Sequence, residues 1–63
     1  MSDYYIYTDA ESQRITAENV DAAIAKFDPT HPTWAELARH IEAVGGWAGV
    51  QENGVELLYA GKR

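Results

Sequence analysis

Cysteine is absent from this chain of 63 residues, which removes disulfides, thiolate metal sites and thiol redox chemistry together. Basic residues are scarce. Five Lys and Arg stand against ten Asp and Glu, and two of the five are the last residues, Lys62 and Arg63. A net charge of −5 and a pI near 4.7 disfavour direct binding to nucleic acid or an anionic membrane, because both would repel the chain. The same charge favours a basic protein surface as partner, or serves solubility alone. No apolar run approaches the ~20 residues that cross a bilayer, and Met1-Ser2-Asp3 does not read as a signal peptide. A cytoplasmic setting, in a bacterial host cell, is the expectation.

Catalytic equipment is missing too. A nucleophile needs a positioned base beside it, yet Ser2 and Ser12 fall in the terminus and in a turn. Gly45-Gly46 follows a helical pattern instead of preceding one, so it makes no phosphate loop. His31 and His40, with Asp28 and Glu36, match no metal-ligand spacing, and His40 reads as the i+4 partner of Glu36 on a solvated helix face. The expectation is a protein that is not an enzyme and needs no metal or cofactor.

What is present is a well-patterned single domain over residues 1–63. Tyr4-Tyr5-Ile6-Tyr7-Thr8 is aromatic and β-branched, and Gln13-Arg14-Ile15-Thr16 reads as its return strand, with Ile6 and Ile15 on one face. From Thr16, a candidate cap, Val20, Ala23, Ile24 and Phe27 recur at helical spacing until Asp28-Pro29 ends the run. After a stiff linker, Thr33 and Glu36 form a capping box for a helix carrying Trp34, Leu37, Ile41 and Val44, closed by Gly45. The period then becomes two, and Asn53-Gly54 marks a type I′ hairpin turn. That turn sets Val50 opposite Leu57 and Ala48 opposite Tyr59 on the core face, with Gln51–Glu56 and Gly49–Leu58 outside. Gly61-Lys62-Arg63 reads as a frayed tail.

The predicted fold is therefore α+β, ordered ββααββ, with two helices packed on an antiparallel sheet. Its expected core is Ile6, Ile15, Val20, Ile24, Phe27, Trp34, Leu37, Ile41, Val44, Val50, Leu57 and Tyr59.

Two groups of side chains are candidates for partner contact. Tyr4, Tyr5 and Tyr7 cannot all face inward, and an exposed Tyr5–Tyr7 pair has hot-spot composition. Asp9, Glu11, Glu18, Asp21 and Asp28 fall in or beside the first turn and helix; residues 1–31 hold six acids and two bases. Carboxylates so clustered could imitate the charge of a nucleic-acid backbone in a Lys/Arg-lined groove.

A cysteine-free, acidic αβ chain of this length, without a catalytic motif, resembles the phage-encoded anti-CRISPR inhibitors. The resemblance implies tight binding to a Cas effector subunit, with acidic side chains blocking its DNA-binding groove. That group has no common fold or signature, so no site residue transfers from it. A monomer is expected for such an inhibitor. The alternatives are an antitoxin, a transcription-modulating accessory protein, or an assembly protein that self-associates through Trp47 and Leu58 on the second face of the C-terminal hairpin.

Overall fold

The computed structural model describes residues 1–61. It contains β1 (Ser2–Thr8), β2 (Ser12–Ala17), α1 (Val20–Phe27), α2 (Trp34–Ala43), β3 (Trp47–Glu52) and β4 (Val55–Gly61), in the predicted ββααββ order. All pairings are antiparallel and the sheet order is β2-β1-β3-β4. The two hairpins join through β1 and β3, where Ile6 lies opposite Val50. α1 packs mainly on β2 and α2 mainly on β4, so one face of the sheet is covered. Gly61 closes β4 instead of fraying, and Lys62 and Arg63 lie outside the described residues.

Strand alternation sorts the tyrosines. Tyr4 and Ile6 point into the core, and Ile15 and Ala17 join them from β2. Ile6, Ile24 and Val50 are fully buried, each a gain of about 1.5–3 kcal/mol in apolar transfer. Val20 and Phe27 flank Ala23 and Ile24 at the edge of this core.

The caps differ in part from expectation. Thr16 lies within β2 and donates its hydroxyl to Asp3 Oδ1 at 2.7 Å, while Asn19 Oδ1 takes the Ala22 N–H of α1 at 2.8 Å. Asn19 wins because it stands just outside the first helical turn, where an N-cap must be. Thr33 does cap α2, accepting the Glu36 N–H at 3.2 Å, but Glu36 makes no return bond to Thr33 among the described residues. The next free donor, Trp34 N–H, goes to Asp21 Oδ1 of α1 at 2.9 Å. Since Asp21 belongs to the first turn of α1, linker residues 28–33 bring the chain back to that level before α2 begins.

Asn53 and Gly54 take φ of 51° and 85°, as a type I′ turn requires. Beyond it the predicted register fails. Gln51 faces Glu56, but a bulge at Leu57 then sets Val50 opposite Leu58, Gly49 opposite Tyr59 and Ala48 opposite Ala60. The extra residue turns Leu57 outward, 44% exposed, and moves Tyr59 to the uncovered face. Leu58 and Ala60 take the inward places predicted for Leu57 and Tyr59. Val44, predicted in the core, is 64% exposed because α2 ends at Ala43.

Candidate functional site

The sheet face away from the helices is aromatic. Tyr5 and Tyr7 project there with ring centroids 5.8 Å apart, and Trp47 from β3 adds a third ring 6.1 Å from Tyr7. Tyr5 and Trp47 remain 38% and 39% exposed. Gly49 makes the arrangement possible: a Cβ there would sit 2.8 Å from Tyr7 Cε1 and closer still to Cζ and the hydroxyl. The Tyr7 ring therefore lies across the bare backbone of β3, and its hydroxyl reaches Glu56 Oε1 on β4 at 2.5 Å. Tyr5 and Tyr7 were predicted on this face; Trp47 was placed on it only in the self-association alternative. Gly49 inside a strand was the available signal for a close approach.

Asp9 and Glu11 occupy the β1–β2 turn. Thr8 Oγ1 fixes the turn by accepting the Ala10 and Glu11 N–H groups at 3.1 and 3.0 Å. The Asp9 N–H donates to the Trp47 carbonyl at 3.2 Å, so this turn adjoins the start of β3 and the Trp47 end of the aromatic face. Among the described residues neither carboxylate has a hydrogen bond or ion pair of its own.

Asp28, at the end of α1, is committed locally. Its Oδ1 accepts the Thr30 N–H at 3.1 Å, and His31 Nδ1 donates to Oδ2 at 3.0 Å. The His31 hydrogen bond lowers the Asp28 pKa below the ordinary 3.8, with partial burial opposing and the Thr30 N–H assisting. Asp28 nonetheless shares one open groove of about 450 Å³ with Asp9 and Glu11, above Phe27 and the exposed Val44.

Glu18 and Asp21 do not join that group. The β1–β2 register runs from Tyr7–Ser12 beside the turn to Ser2–Ala17 at the far end, on the order of 17 Å along the strands. Glu18 stands beyond that far end, and Asp21 caps α2. The five carboxylates expected as one cluster thus divide three and two, and of these five only Asp9, Glu11 and Glu18 are free of internal hydrogen bonds among the described residues.

His40 stacks on His31, centroids 4.2 Å apart and planes 19° from parallel, instead of pairing with Glu36. Among the described residues no group of three or more His, Asp or Glu side chains could hold a metal ion. No helix among them is long and apolar enough to cross a membrane.

Comparison with protein families, with curated proteins and with solved structures finds no match. Stacked rings offer broad apolar contact with polar edges, and the turn that holds two unpaired carboxylates is joined to their Trp47 end.

Proposed function

We propose that this protein acts by binding: it occupies a basic surface on a nucleic-acid-handling machine and blocks it. That is the mode of the anti-CRISPR inhibitors the chain resembles, acting in the bacterial cytoplasm on a Cas effector subunit. The observation that carries the reading is the Tyr5–Tyr7–Trp47 face, joined at Trp47 to the turn that carries the unpaired Asp9 and Glu11. Rigid aromatics anchor interfaces, and adjacent carboxylates steer a basic partner onto them. Glu18 and Asp21 stand apart from this surface, so the acid contribution narrows to Asp9 and Glu11, with Asp28 behind them.

The test is capture from a bacterial lysate at low and high salt, with each captured partner assayed for nucleic-acid binding. Asp9→Lys with Glu11→Lys should abolish capture at low salt. Glu18→Lys with Glu52→Lys, an equal charge change elsewhere, should leave most of it. Equal losses would mean that only bulk charge counts.

Self-association is the second reading, favoured by Trp47 and Leu57 both exposed on the uncovered sheet face. It passes through Leu57, since Leu58 turns inward. A dimer that persists at high salt in sedimentation, and dissociates with Trp47→Ser, would establish it over the first.

A further inference from the structure

The groove beside the β1–β2 turn combines an apolar lining with an acidic rim. Half-buried Phe27 lines it with Leu37 and Ile41, His40 beside them, and Val44, 64% exposed at the end of α2, lines it as well. Its rim carries Asp9 and Glu11, whose carboxylates are unpaired among the described residues. The rim is held in place: Thr8 binds the turn from within, and the Asp9 N–H ties it to Trp47. The Asp9 carboxylate also rests near Gly46, where a Cβ would come within 3.1 Å of both its oxygens.

We propose that this groove seats an arginine side chain of a basic partner segment. An arginine is apolar along its stem and cationic at its tip, and the groove has the same division in the same order. The stem lies along Val44 and Phe27, and the guanidinium meets Asp9 and Glu11. Its planar fork can donate to two carboxylates at once, which a lysine ammonium does with less geometric fit. Asp28 adds negative field from behind, with each of its oxygens already engaged once, by Thr30 and by His31. This inference rests on the binding function proposed above and assigns a second contact of that partner, on the helix side of the same turn.

The experiment needs no cellular partner. A capped Ala-Arg-Ala peptide is titrated into the isotope-labelled protein and followed by amide chemical shifts. Parallel titrations use the lysine peptide and the citrulline peptide, which keeps the shape of arginine without its charge. Shifts should centre on Thr8 to Glu11 and on Val44 with the arginine peptide. They should weaken with lysine and vanish with citrulline. Asp9→Asn with Glu11→Gln, and separately Val44→Ser, should each weaken binding about tenfold, while Glu18→Gln with Glu52→Gln should change it less than about twofold.

Absence of shifts, shifts spread over every surface carboxylate, shifts confined to Tyr5, Tyr7 and Trp47, or equal binding of citrulline would each overturn the assignment. Peptide binding that survives while lysate capture fails would remove the proposed function and leave the groove. The reverse result would remove the groove alone.

Discussion

The Asp21 carboxylate of α1 accepts the Trp34 N–H of α2 at 2.9 Å, so one helix supplies part of the other's N-terminal cap. An acid placed by composition among partner-binding residues thus has a structural task. It also sits near the positive end of the α2 dipole, which adds to the bond.

Asp21→Ala should therefore destabilise the domain by about 1 kcal/mol, in the range of a lost N-cap. Asp21→Lys should be worse, because a cation replaces an anion at that helix end. Thermal melts of both, beside Glu18→Ala as an exposed control, decide the matter. Equal melting temperatures for all three would remove Asp21 from the cap.

For α1, Asn19→Ala should cost about 1 kcal/mol, and Thr16→Ala should cost less. Thr16 bonds only the exposed Asp3 through its hydroxyl, whereas Asn19 satisfies the Ala22 N–H. Urea titration of the two variants gives the order. A larger loss at Thr16 would return the cap to the place its residue type first suggested.

Those two residues show where sequence reading stops. Period and turn chemistry made every element type legible: the 3.6-residue spacing of Val20 to Phe27, the Thr33 cap, and Asn53-Gly54 all describe local physics. Choosing Asn19 over Thr16 required knowing how far β2 extends, which its pairing with β1 decides. The bulge at Leu57 left no local sign, because Val-Glu-Leu-Leu-Tyr-Ala alternates acceptably in either register. Only packing on α2, which seats Leu58 and Ala60, selects one. The candidate acids were legible as a count and not as a place, since Asp21 and Asp28 meet their partners through tertiary contact and loop geometry.

At the aromatic face, Gly49→Ala should displace the Tyr7 ring and break its bond to Glu56. The expected cost is about 1–3 kcal/mol, as for other overpacked sites. In the Tyr7→Ala background the same change should be much milder, because the obstructing ring is gone. A double-mutant cycle by denaturant melts measures this coupling, and strict additivity would show that Tyr7 does not rest on Gly49.

The Asp28–His31 contact gives an acid-side prediction. Because the folded-state pKa of Asp28 is lowered, its stabilising contribution is complete above the ordinary 3.8 and fades as pH falls through the folded value. At neutral pH the carboxylate carries no proton, so His31 Nδ1 is the donor. Asp28→Asn should lower stability at neutral pH and flatten the pH dependence below about pH 4. Melting temperatures measured from acid to neutral pH provide the check, and an Asp28→Asn curve parallel to the parent would refute the linkage.

The bulge in β4 also governs how copies of this chain behave when crowded. β4 is an outer strand carrying the solvent-exposed Val55 and Leu57, a combination that invites edge-to-edge fibre growth. An added strand needs an unbroken row of donors and acceptors, and the irregularity between Val50 and Gln51 interrupts and twists that row. Deleting Leu57 would straighten the edge while keeping Leu58 opposite Val50 and Ala60 opposite Ala48. The shortened chain should fold with its core intact, yet seed thioflavin-positive fibrils at concentrations where the parent stays clear. On that outcome, one surplus residue, costly to hairpin regularity, is what guards the β4 edge against polymerisation.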